Sequence, residues 1–158
     1  MRAYDVMTWG VISIGADITV SRAGQLMLEN DIRGLPVTDA AGHLIGIVTA
    51  SDLLRRDEVH ACRLPGFSGD LEMQHISVYR RKVCELMTPK PYTIAGDTPL
   101  DEIIQLLEQH QIGHLPVLDE DQIIGMVSRA NLIRAFSKLS WMSKPPLSEG
   151  KHSKGNSP

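Results

Sequence analysis

The side chains best suited to chemistry in this chain sit at one corner and at its echo. Thr49, Ser51 and Asp52 follow the strand-like run Leu44-Ile45-Gly46-Ile47-Val48. Ser128, Ala130 and Asn131 hold the matching positions after Ile123-Ile124-Gly125-Met126-Val127. Where a strand gives way to a helix, the first backbone N–H groups lack partners and the helix dipole favours an anion. Thr49 and Ser51 add hydroxyl donors beside that point. The Asp52 carboxylate can accept both hydroxyls of a ribose, and Gly46 allows the backbone a close approach. A phosphate near Thr49 with a ribose on Asp52 is therefore a coherent pair of roles. Asn131 carries no charge and a single acceptor oxygen, so the second corner reads a ribose less well. The competing assignment is that Thr49 and Asp52 only cap their own helix, since Ser, Thr and Asp are enriched at helix starts.

Placing those residues requires an element order, and the chain supplies it twice. Val6-Met7-Thr8 returns as Leu86-Met87-Thr88, and Leu35-Pro36-Val37 as Leu115-Pro116-Val117. Gly46-Ile47-Val48-Thr49-Ala50-Ser51-Asp52-Leu53 returns as Gly125-Met126-Val127-Ser128-Arg129-Ala130-Asn131-Leu132. The offset is about eighty residues, slipping by one after the Asp39/Asp119 turn, which marks an internal repeat.

In the first unit, Val11-Ile12-Ser13-Ile14 reads as a short strand, and Val20, Ala23, Leu26 and Met27 carry helical spacing up to Asn30-Asp31. Leu35-Pro36-Val37-Thr38 reads as a strand, with Pro36 suggesting a start or an edge. Asp39-Ala40-Ala41-Gly42 is turn chemistry before the next strand, and Ser51 to Arg56 begins a helix. In the second unit, Tyr92-Thr93-Ile94 is the short strand, Thr98 the helix N-cap and Pro99 the first helical residue. Leu100, Ile103, Ile104 and Leu107 form the apolar stripe, Leu115-Pro116-Val117-Leu118 and Ile123 to Val127 a hairpin, and Arg129 to Phe136 the closing helix. Each unit is β-α-β-β-α, an α/β (mixed α+β) arrangement with helices on one face of a mixed sheet. Two such units pack about a pseudo-twofold axis, and the cleft between them is where a ligand is expected. The expected organisation is repeat 1 over 1–56, a partly helical linker over 57–82, repeat 2 over 83–137 and a disordered tail over 138–158.

With 158 residues, 42% of them hydrophobic and only 4% aromatic, the core must be built mainly from Ile, Leu, Val and Met. Met7, Met27, Met87 and Met126 accordingly read as packing. A net charge of -3 argues against a general nucleic-acid partner. No leader peptide is expected after Met1, and no apolar run approaches the ~18 residues that would cross a membrane. Cys62 and Cys84 stand apart, which suits a reducing cytoplasm better than a disulfide framework. His43, His60, His75, His110 and His152 lack metal-ligand spacing, so no metal site is expected.

Three features recur in each copy: a Met-Thr lead-in before a short strand, Ile-x-x-Leu-Pro-Val before an Asp turn, and Gly-h-h-[Ser/Thr]-x-x-[Asp/Asn]-Leu at the strand-to-helix junction. In their order, twice over, they resemble the CBS domain, named after cystathionine β-synthase, across residues 3–56 and 83–136. A tandem pair, or Bateman module, of the bacterial stand-alone type is similar in order and spacing. The resemblance implies a regulatory module for adenosine-type ligands such as AMP, ADP, ATP, NAD(H) or S-adenosylmethionine, assembled as a disc-like homodimer and acting on an unknown regulated protein. Carried over, site one combines Thr49, Ser51 and Asp52 with Tyr92, Thr93, Ile94, His114 and Pro116. Site two combines Ser128, Ala130 and Asn131 with Ile12, Ser13, Ile14, Arg33 and Pro36. Arg33 is then a phosphate partner in site two, and His114 a contact for phosphate or base in site one. Catalysis is not expected. CBS pairs occur inside IMP dehydrogenase, but this chain has no room for a ~250-residue barrel and no Ser-His or Cys-His pairing. The alternative to a ligand sensor is an interaction scaffold with vestigial clefts, to which Asn131 lends weight.

Overall fold

The computed structural model describes residues 1–54 and 79–142. Helix α1 (Ala3–Val6) leads through β1 (Thr8–Trp9) to β2 (Ile14–Gly15), α2 (Val20–Glu29), β3 (Gly34–Thr38), β4 (Leu44–Thr49) and α3 (Ala50–Leu53). After a short 3-10 turn at Val83–Glu85, the same order follows as β5 (Thr88–Pro89), β6 (Ile94–Ala95), α4 (Leu100–Gln109), β7 (His114–Asp119), β8 (Gln122–Ser128) and α5 (Arg129–Met142). The helical spacing read from sequence makes α2 and α4 amphipathic, with Val20, Ala23 and Met27 buried on one and Ile103 and Leu107 on the other. Each helix stops at a left-handed residue, Asp31 at φ 51° or Gln111 at φ 54°. The next N–H, of Ile32 or Ile112, then returns to the carbonyl of Met27 or Leu107.

Several boundaries differ from the sequence reading. Strands β2 and β6 begin only at Ile14 and Ile94, leaving Val11 to Ser13 and Tyr92-Thr93 outside regular structure. Pro99, not Thr98, is the N-cap of α4; the Thr98 hydroxyl instead accepts the Ala95 N–H at 3.1 Å. Strand β3 is interior to its sheet, so Pro36 is not on an edge strand. Pairing with β2 begins at Val37, so at Pro36 that flank has no ladder bond to lose. Helix α5 runs on to Met142, past the expected Phe136 and into the segment read as tail; residues 143–158, 57–78 of the linker, and 55–56 at the end of repeat 1 with the expected helix there, lie outside the described residues. The one-residue slip is a difference between turns. The first is held by Asp39, whose Oδ1 accepts the N–H groups of Ala41 and His43, both at 2.9 Å, before Gly42 at φ +86°. The second is a tighter reversal through Glu120 and Asp121, both at positive φ.

The two sheets do not follow the two halves of the sequence. One has the order β2-β3-β4-β5 and the other β1-β8-β7-β6. Each lead-in strand therefore pairs with the hairpin of the other repeat, Thr8 opposite Met126 and Thr88 opposite Ile47. The cores are exchanged in the same way. Val83 and Leu86 close the cluster of Val20, Leu35, Val37 and Val48, while Ala3, Val6 and Met7 close that of Ile103, Leu115, Val117 and Val127. Backbone bonds clamp both crossings: Ala3 N–H to the Thr98 carbonyl at 2.9 Å, and Val83 N–H to the Ile18 carbonyl at 2.9 Å. The crossings bring both strand-to-helix corners toward the opposite repeat.

Candidate functional site

At the first corner, Thr49 ends β4 in an extended conformation and caps α3. Asp52 Oδ2 accepts the Thr49 N–H at 2.8 Å and the Thr49 hydroxyl at 3.0 Å, while the Asp52 N–H reaches Thr49 Oγ1 at 3.4 Å. This is the capping box of the competing assignment, and it fixes both side chains. It occupies one carboxylate oxygen. Among the described residues no donor reaches Oδ1, although Asp52 is only 9% exposed. Ser51 is exposed on the first turn of α3. The close approach allowed by Gly46 is taken by protein: a Cβ there would collide with the Met87 thioether and lie 3.2 Å from the Thr88 carbonyl. Gly46 thus serves the docking of the lead-in rather than an open backbone surface.

His114, at the start of β7, faces this corner from the other repeat. Its ring lies over Gly34, where an added Cβ would sit 2.8 Å from Cδ2 and 3.1 Å from Nε2. Burial pushes the imidazole below the usual 6.5; the Asp52 carboxylate raises it and the Arg33 guanidinium lowers it. Residues expected in two different sites, Asp52 and Arg33, therefore act on one histidine between the repeats. Gly34 and His114 are equivalent positions of the two copies, so a single ring fills space that two side chains could not share.

At the second corner, Ser128 and Asn131 repeat the capping geometry, with the Ser128 hydroxyl 2.6 Å from Asn131 Oδ1. Asn131 also reaches the lead-in of the first repeat, donating from Nδ2 to the Val6 carbonyl at 3.0 Å and to Thr8 Oγ1 at 3.1 Å. Thr8 is thus part of this corner, and the register places Thr88 at the first. Sequence reasoning used the Met-Thr recurrence only as a repeat marker, although the recurrence itself carried the signal. Ala130 is exposed and Arg33 is exposed, with the Arg33 carbonyl accepting the Ala50 N–H at 2.8 Å.

The remaining expected residues divide in two. Ile12 is half-buried and Ser13, Tyr92 and Thr93 are exposed in the segments before β2 and β6, where they are accessible. The Tyr92 ring stacks on His110 with centroids 3.8 Å apart. Ile14 and Ile94 point into the cores, and Pro36 and Pro116 are fully buried in mid-strand. These four side chains present no wall to a ligand, and any contribution from them is through backbone atoms.

A family model, the CBS domain, matches residues 3–58 and 83–138. A CBS domain-containing protein of Dictyostelium discoideum is 33% identical over 85% of this chain and 90% of its own length. The chloroplastic CBS domain-containing protein CBSX2 of Arabidopsis thaliana is 31% identical over 77% of this chain, which spans 56% of that relative. Hypoxic response protein 1 of Mycobacterium tuberculosis is 26% identical over 84% of this chain and 82% of its own length. The crystal structure of CBSX2 in complex with AMP superposes with a TM-score of 0.68 at 28% identity, covering 88% of this chain and 98% of that one.

Two outcomes follow from the His114 contact. Gly34→Ala should cost about 1–3 kcal/mol in denaturant unfolding, because its Cβ displaces the ring, and should cost far less beside His114→Ala. Equal cost in both backgrounds would place the clash elsewhere. A histidine held below its unfolded value is protonated first in the unfolded chain, so stability is lost as pH falls from 6.5 toward the lower folded value. His114→Gln should therefore lose less Tm than the native chain between about pH 7.5 and about pH 5.5. Parallel losses would show that folding leaves the proton affinity of this ring unchanged.

Proposed function

The chain belongs to the CBS-domain family, and on that premise we propose that it is a non-catalytic regulatory module that binds an adenosine-type ligand between its repeats. The observation that carries this reading is Asp52. One oxygen is held by Thr49, the other has no donor among the described residues, and a histidine of the opposite repeat stands within reach of its charge. In a residue only 9% exposed, that oxygen is an acceptor with no protein donor among the described residues, and a ribose hydroxyl would supply one. In this reading Thr49 acts by holding Asp52, to which its hydroxyl proton is given, and the imidazole of His114 with Ser51, Tyr92 and Thr93, the last three exposed, would meet the rest of the ligand. The complex of CBSX2 with AMP supports the ligand class, and AMP, ATP, NAD(H) and S-adenosylmethionine are its candidates. Binding favours one arrangement of the two repeats and so changes what a partner protein meets. A cytoplasmic setting belongs to the same proposal and rests on the isolated cysteines.

Homodimerisation is part of this reading. Helix α5 presents Ile133 at 67% and Phe136 at 45% exposure one turn apart, and α2 presents Leu28 at 85%. A second copy of the chain would cover such faces. Light scattering at micromolar concentration should return twice the chain mass, and Ile133→Glu with Phe136→Glu should return a monomer; a native monomer would reject the dimer.

Thermal unfolding with each of the four candidate ligands tests the central claim. At a hundredfold excess over Kd the expected stabilisation is about 2.7 kcal/mol, a shift of several degrees, and Asp52→Ala should remove it. No shift with any of them would leave the scaffold reading in its place. Among the described residues no helix is long and apolar enough to cross a membrane.

A further inference from the structure

The two corners are built alike and wired differently. At the second, Asn131 Oδ1 accepts from the Ser128 N–H at 2.9 Å and from the Ser128 hydroxyl at 2.6 Å. Its Nδ2 gives one proton to the Val6 carbonyl at 3.0 Å and the other to Thr8 Oγ1 at 3.1 Å. The side-chain amide thus has its oxygen doubly bonded and both protons placed, and the residue is 7% exposed. At the first corner Asp52 has no proton for the matching Leu86 carbonyl. Among the described residues nothing donates to its Oδ1, and no side-chain bond joins it to Thr88.

We propose that Asn131 is a latch on the exchanged N-terminal segment rather than a sugar reader, so that each chain takes one riboside, at Thr49 and Asp52, and the second corner takes none. A ribose hydroxyl arriving at Asn131 would have to displace Ser128 or Thr8, and it would gain no bond that the protein does not already make. The latch also explains the amide chemically. An Asp at 131 could accept from Thr8 but would turn an oxygen toward the Val6 carbonyl, whereas the amide donates to both. The count of one riboside rests on the function proposed above; the latch does not.

Exchanging the two side chains, which are nearly equal in size and shape, tests both parts. The probe is AMP in equilibrium dialysis, with hydrogen exchange at the Ala3, Tyr4 and Met7 amides, which bond to Thr98, Gly96 and Ala3. The native chain should bind one AMP, Asn131→Asp two, and Asp52→Asn none. Asn131→Asp should also raise exchange at the three amides about tenfold, the effect of losing bonds worth about 1.4 kcal/mol. Two AMP on the native chain, or one on Asn131→Asp, would overturn the assignment. If the native chain binds no AMP, the functional reading fails and exchange alone decides the latch: a rise upholds it and unchanged protection overturns it. Should Asn131→Asp not fold, Thr8→Val removes one latch bond and should raise exchange at the same amides by a smaller factor; unchanged exchange overturns the latch.

Discussion

Neither half of this chain can finish its own hydrophobic core. The cluster around Leu35 and Val48 is closed by Val83 and Leu86, and the cluster around Leu115 and Val127 by Ala3, Val6 and Met7. Burying a side chain of this size is worth about 1.5–3 kcal/mol. For a domain whose net stability is about 5–15 kcal/mol, losing either lead-in would remove much of the margin. The other features of the molecule follow from that exchange. It sets the strand orders, presses Met7 and Met87 onto Gly125 and Gly46, and carries Thr8 to Asn131.

The pattern of elements was legible because its signals are local. Apolar spacing located α2 and α4, the hairpins emerged from paired apolar runs, and the duplicated junction marked both corners. The crossing was not legible, since a repeat read along the sequence gives no reason for Met7-Thr8 to pair outside its own copy. Strand lengths were overestimated before β2 and β6 because an apolar run such as Val11-Ile12 looks the same whether or not a neighbour is present to pair with it. The missing N–H of Pro36 suggests a strand start or an edge; β3 starts at Gly34 and is interior, and the requirement is met inside the sheet because pairing with β2 begins one residue later, at Val37.

At the site, residue type was easier to read than residue purpose. Thr49 and Asp52 do cap α3, as the plainer assignment held, and the carboxylate still keeps an oxygen without a protein donor among the described residues. The two roles are compatible because a carboxylate has more acceptor positions than a cap requires. Asn131 looked like a weakened copy of Asp52. Its partners show a different specialisation, since an amide can donate where a carboxylate cannot. Gly46 looked like room for a ligand and is room for a methionine. In each case the missing information was a contact from far along the chain.

The exchange also bears on how such a chain arises. A solitary repeat of this design would carry its first segment away from its own apolar cluster and leave that cluster open to an identical segment. Two separate copies would satisfy each other by swapping those arms. The covalent tandem therefore preserves within one polypeptide an assembly that a single-repeat ancestor could reach only as a pair of molecules. Duplication and fusion would have removed the concentration dependence of that assembly and freed the two copies to diverge, as Asp52 and Asn131 have.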